Sequence, residues 1–218
     1  MVQVSLQLRG LGGDIAKLAY PKEDYQTFWI TDRAVDFLRM RQKEKPFFLF
    51  VSYLDPHSPS HLPEPYWSMA AAMKVPAPKI PDEVKKARAE AVKNNARGGG
   101  RHLIADEEMA RALTANYCAT LSMVDDNVGR LLDQLKAMGL VQNTIIVFTA
   151  DHGNMLGDHG RWFKGVAYEG SSRIPLLMKA AATIPSTEAF NRGKVINEIV
   201  ENVAVMPTLF DMAGLELS

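Results

Sequence analysis

Apolar residues recur along this chain at two different spacings, and each spacing predicts a different element. Between 27 and 42, Phe28, Ile30, Val35, Phe37, Leu38 and Met40 are mixed with charges at helical spacing. That pattern predicts an amphipathic helix, with Thr27 or Asp24 as its cap and Lys45-Pro46 as its breaker. From 106 to 138, Met109, Leu113, Tyr117, Leu121, Val124, Val128, Leu131, Leu135 and Met138 recur at three and four, the clearest helix of the chain. Asp106 is placed to cap it and Gly139 to stop it. A last helix is predicted over 197–213, with Pro207 kinking or splitting it.

The second pattern is the short apolar run. Phe47–Tyr53 is apolar on both faces and predicts a central strand covered on both sides, as in a parallel sheet. Thr144–Phe148 predicts a buried strand over 144–149, and Ile174–Met178 a further short strand with proline near its start. Strands alternating with amphipathic helices indicate an α/β fold with a mainly parallel sheet. The remaining stretches lack periodicity. Residues 1–20 read as loop, and 56–81, with seven prolines, as a long extended loop. Residues 82–101, rich in Lys, Arg and Ala with a glycine tip, read as a solvated, partly helical insertion; the other reading is a basic rim for a polyanionic substrate.

Composition narrows the class. At 218 residues the chain suits one sizeable core, and 47% hydrophobic with 23% charged residues argues against disorder. Lys+Arg and Asp+Glu are equal at 25 each, so no whole-chain field favours nucleic acid or an acidic membrane. The single cysteine, Cys118, excludes an internal disulfide and a four-cysteine zinc site, and reads as a small buried or half-buried residue in its helix. Asp125-Asp126 in the same helix reads as solvated surface. No apolar run approaches the roughly 18 residues of a bilayer span. The N-terminus lacks the basic and apolar regions of a signal peptide.

The candidate chemistry follows the 144–149 strand. Asp151-His152-Gly153 and Asp158-His159-Gly160 repeat one triplet seven residues apart, where a strand ends. Ligands of α/β sheets bind outside the carboxyl ends of strands. Carboxylate and imidazole there suit a divalent cation; a hydrogen-bonded turn is the other reading. Gly153 would let the chain turn sharply. Lys164 offers a point charge for a sulfate or phosphate oxygen, and His57, on the loop after the other strand, could reach the same rim as a general acid.

These residues also carry a resemblance. Pro46–Pro59, the helix segment Tyr117–Leu132, Thr149–Gly165 with Tyr168–Leu176, and Met206–Gly214 resemble, in order, four segments of the type I sulfatases of the alkaline phosphatase superfamily. The likeness covers roughly 20–217, broken by a variable insertion at about 60–105. It implies an alkaline-phosphatase-like α/β sandwich and hydrolysis of a sulfate ester at Ca²⁺ or another divalent cation such as Mg²⁺ or Mn²⁺. It implies Asp151 and His152 as metal ligands, and Lys164 and His57 as catalytic groups at the sulfate and leaving oxygen. His159 and Arg161 rank lower, as substrate contacts or loop organisers. A phosphate or phosphonate ester hydrolase of the same superfamily, or a non-catalytic anion-binding relative, is the alternative.

The departures bear on activity. The family's nucleophile is a formylglycine made from the cysteine of Cys-x-Pro-x-Arg, with serine in some members. Neither frame occurs here, and Cys118 is followed by Ala119-Thr120-Leu121-Ser122. The family's two other metal aspartates are also missing. Residues 1–218 are therefore expected to form one partial catalytic domain, truncated at both ends and inactive alone, with an N-terminal half or partner chain to be supplied. The expected ligand is a sulfated small molecule or glycan. Location stays open; the resemblance implies a periplasmic, secreted or lysosome-like parent.

Overall fold

A computed structural model describes residues 5–6, 15–78, 80–94, 107–184 and 193–215. The first predicted helix forms as α1 (Gln26–Met40). Tyr25 is its N-cap and neither Asp24 nor Thr27 caps it. The Thr27 hydroxyl lies inside the first turn and donates instead to the buried Asp55 carboxylate. The long helix is α4 (Glu107–Ala137); its expected cap, Asp106, lies outside the described residues. Gly139 does stop it, at φ +69°, with Gly139 N donating to Lys136 O and Leu140 N to Leu135 O. That pair of bonds satisfies the last orphan carbonyls of the helix.

Three segments differ from the sequence reading. The stretch expected to be loop before residue 20 contains β1 (Ser5–Leu6) and β2 (Ile15–Lys17). The proline-rich stretch contains β3 (Ser60–Leu62) and α2 (Tyr66–Ala72). β2 pairs antiparallel with β1 and parallel with β3. Proline is tolerated here because Pro65 occupies the N-cap of α2, where a donor N–H is not required. The basic segment forms α3 (Asp82–Lys93); its glycine tip lies outside the described residues.

Phe47–Tyr53 forms no strand, and no strand among the described residues pairs with it. Its residues alternate rather than being covered on both sides. Phe47, Leu49, Val51 and Tyr53 are half-buried, while Phe48 and Phe50 are 67% and 79% exposed. The half-buried face lies on α1: Phe47 meets Phe37 edge-on, and the Tyr53 and Thr31 hydroxyls are 2.9 Å apart. The 144–149 strand is observed as β4 (Ile146–Thr149) and pairs antiparallel with β5 (Leu176–Lys179), but it is not the buried strand expected: Ile146 and Val147 are half-buried and Phe148 and Thr149 exposed. A short helix, α5 (Glu169–Ser172), precedes β5. The last helix is confined to α6 (Val205–Met212), after a 3₁₀ turn at Asn202–Ala204. Pro207 therefore sits in the first turn of α6, where it breaks no bond and produces no kink.

The core has two parts. Tyr25, Phe28, Leu62, Tyr66, Ala119 and Met123 join α1, α2 and α4. Ile15, Ile80, Ala110, Leu113 and Trp162 form the second cluster, against which Trp67 and Val84 also pack. Arg130 ties α4 to α1 through Asp32 at 2.6 Å and lies over the Phe28 ring. Asp126 is exposed, as expected, yet it also accepts the Tyr66 hydroxyl at 2.6 Å. Cys118 is half-buried, and burial pushes its thiol up from the ordinary value.

Candidate active site

The chain leaves β4 into the Asp-His-Gly segment, and that exit is tied down. Asn202 donates to Ala150 O at 2.8 Å and accepts from the Thr149 hydroxyl at 3.1 Å. The Asp151 side chain then projects into solvent, 88% exposed. His152 N donates to Asp151 Oδ1 at 2.9 Å, and the imidazole Nδ1–H donates to Gly153 O at 2.8 Å. That bond leaves Nε2 3.5 Å from Asp151 Oδ2. One carboxylate oxygen and one imidazole nitrogen thus lie side by side, which suits two ligands of a divalent cation. Among the described residues no three His, Cys, Asp or Glu side chains gather to complete such a site. Burial raises the ordinary pKa of Tyr117 on α4, and the charges of Cys118 and Asp151 add to it.

Gly153 is required for a different reason from the sharp turn expected. A Cβ there would sit 2.2 Å from Gly170 O, so the backbone of α5 comes too close for any side chain. Gly153 N donates to Ser171 O at 2.7 Å across the same approach.

Beyond it, residues 154–165 fold back on themselves. Asn154 Oδ1 accepts from Leu156 N and Phe163 N, and Met155 N donates to Phe163 O at 2.8 Å. Met155 and Trp162 are 1% and 4% exposed and anchor the loop in the core. The flanking Arg161 and Lys164 are half-buried and, with Met155, Trp162, Gly165 and Val166, line a cavity of about 270 Å³. The back of the loop rests on the proline-rich segment and α3. A Cβ on Gly157 would meet Pro78 at 2.5 Å, and one on Gly160 would meet Val84 at 2.5 Å. His159, at φ +53°, is exposed and stacks on the Tyr168 ring with centroids 4.3 Å apart.

His57 sits on its own loop after the Phe47–Tyr53 segment. Its Nδ1–H donates to Ser58 O at 2.7 Å, leaving Nε2 as the atom that takes or gives a proton. The loop is clamped by Asp55, which is 5% exposed and accepts the hydroxyls of Tyr25 and Thr27. Burial pushes the Asp55 carboxyl above its ordinary value, opposed by hydrogen bonds from Thr27, Tyr25 and Gln26. No hydrogen bond or ion pair among the described residues joins His57 to Asp151, His152 or Lys164; each loop is placed by its own anchors.

The family model described as "Sulfatase" matches residues 13–215. The chain belongs to the sulfatase family. An arylsulfatase of Clostridium perfringens is 34% identical over 200 residues, covering 91% of this chain and 40% of that protein. An N-acetylglucosamine-6-O-sulfatase of Bacteroides thetaiotaomicron is 29% identical, covering 90% of this chain and 44% of its own length. Among solved structures, the phosphonate monoester hydrolase of Agrobacterium radiobacter superposes with a TM-score of 0.71 at 27% identity, covering 91% of this chain and 40% of that one. The chain thus spans about 40% of the length of these relatives.

Two residues that the sequence reading passed over hold the loops that carry the candidate residues. Asp55 holds the His57 loop, and Asn154 closes the loop that carries Arg161 and Lys164. Asp55-Pro56-His57 held a signal, because an aspartate between an apolar run and a proline is well placed to be buried. Asn154 held none beyond its adjacency to Gly153.

Proposed function

We propose that this chain contributes the metal-and-anion half of a sulfatase active site, in a protein that hydrolyses a sulfate ester of a small molecule or glycan. The observation that carries this reading is the sulfatase family match, which spans the Asp151-His152 pair and Lys164 in one segment. Asp151 and His152 supply two ligands to Ca²⁺ or a similar divalent cation, whose role would be to stabilise negative charge on the sulfate oxygens. A cation of this kind takes six to eight oxygen-rich ligands, so further donors must join these two. Lys164 binds the sulfate as a point charge. His57, through Nε2, donates the proton that the leaving oxygen needs. His159, stacked on Tyr168, keeps the loop in shape. The family resemblance assigns the attacking group to a formylglycine. Because the sequence holds neither the Cys nor the Ser form of that motif, the 218 residues alone provide no attacking atom and no turnover is expected from them. We read residues 1–218 as one partial catalytic domain, with about 60–105 as its variable segment.

A chimera tests the reading. Residues 13–215 would replace the matching segment of the Clostridium arylsulfatase, leaving that protein's nucleophile motif in place. Metal-dependent hydrolysis of 4-nitrophenyl sulfate is expected, with Asp151→Asn and Lys164→Ala each lowering kcat/KM by about 100-fold or more. A chimera that folds but prefers a 4-nitrophenyl phosphonate ester would favour the second reading, a phosphonate ester hydrolase. The superposition on the Agrobacterium enzyme supports that alternative.

A further inference from the structure

The 270 Å³ cavity holds two cations where sulfate binding calls for one. Five Lys or Arg residues are half-buried among the described residues. Lys22 lies over the Phe28 ring, Arg41 donates to Leu38 O, and Lys85 pairs with Glu107 at 3.3 Å. Among the described residues Arg161 and Lys164 have no such side-chain partner, and they line the same cavity. Two half-buried cations that line one cavity are both stabilised by an anion placed in it. Their placement is fixed by the backbone. The Arg161 carbonyl accepts from Gly157 N at 2.8 Å, Arg161 N donates to Asp158 O, and buried Trp162 follows. The cavity lies just below the 300–1,000 Å³ that encloses a whole small ligand, so it suits the anionic end of one.

We propose that Arg161 determines specificity by binding a second anionic group, a sulfate or carboxylate, on a ligand whose first sulfate is held by Lys164. This rests on the reading of Lys164 as the sulfate contact. The guanidinium can grip a planar carboxylate or two sulfate oxygens in a paired fashion that lysine cannot. The preferred ligand is therefore a polyanionic saccharide rather than a monosulfated one.

Calorimetric titration of the 218-residue chain, with Ca²⁺ present, tests this directly. The probes are N-acetylglucosamine 6-sulfate, with one anionic group, and glucosamine 2-N,6-O-disulfate, with two. The disulfate is expected to bind about 10-fold more tightly, a gap of the size one charge-assisted contact provides. Arg161→Gln should close that gap and Arg161→Lys should leave part of it. Lys194→Gln, an exposed cation elsewhere, should leave it whole. Thermal melts of each variant confirm folding. Equal affinity for the two probes in the wild type, or a gap that survives Arg161→Gln, overturns the proposal. Lys164→Ala separates the two levels. If it leaves binding of the monosulfate unchanged, the assignment of Lys164 has failed, whereas a lost monosulfate site beside an unaltered gap in Arg161→Gln sinks only the role of Arg161. Absence of binding by either probe also counts against it.

Discussion

Asp55 shows how a single side chain can set a local structure and its pH response together. It is nearly excluded from water, accepts two hydroxyls, and has its carboxyl pushed above the ordinary value by burial. The folded chain therefore holds that proton more tightly than the unfolded chain, whose carboxyl titrates at about 3.9. The stability contributed by this group falls as pH rises from the unfolded value through the raised folded one. Asp55→Asn removes the titration while keeping an acceptor. The stability advantage of the wild type over this variant should therefore be wider near pH 4 than near pH 7, as denaturant unfolding at the two values would report. A gap that widens with pH would mean that hydrogen bonding, not burial, dominates the carboxylate. The order Leu54-Asp55-Pro56-His57 hinted at a buried carboxyl but not at its partners, because only folding brings Tyr25 and Thr27 onto the carboxylate. Asp151 and His152 were legible, because their place after an apolar run already puts them at a strand end.

At the scale of elements, legibility followed the source of stability. α1 and α4 carry their own apolar stripe, so spacing alone located both to within one or two residues. β3 and α2 have no such rhythm. They exist because Leu62 and Tyr66, 0% and 2% exposed, fill the space between α1 and α4, a tertiary reason that local spacing cannot contain. Met123 is the corresponding position on α4, with no exposed surface. Met123→Ala is expected to destabilise by about 2–5 kcal/mol through lost burial and the cavity left behind. A chemical denaturation midpoint unchanged by that substitution would show the α1–α2–α4 core to be less tightly joined than described.

Over the whole molecule, two properties act in the same direction. The formal net charge is +0 at pH 7, so little repulsion keeps copies apart. The outward face of the 47–54 segment also presents Phe48, Phe50 and Leu54 to solvent, and β4 exposes Phe148. Apolar surface of this kind, on backbone without a paired neighbour, favours association. The chain should self-associate in sedimentation velocity runs near pH 7, and Phe48→Lys with Phe50→Lys should shift it toward monomer. Sedimentation as a monomer at all concentrations would contradict this. The expectation of a strand covered on both faces is not met at Phe47–Tyr53, which forms no strand among the described residues. It missed which face is bare, since that depends on which other strands are present rather than on Phe47–Tyr53 itself.

The loop bearing Arg161 and Lys164 rests on Pro78 and Val84 through two glycines, with side-chain carbon facing backbone on each side. Such a seat is adjustable. A larger or smaller group at 84 would raise or lower the whole loop without altering any residue that lines the cavity. Position 84 is thus a dial outside the cavity, one that engineering or natural drift in α3 turns without touching the cavity lining.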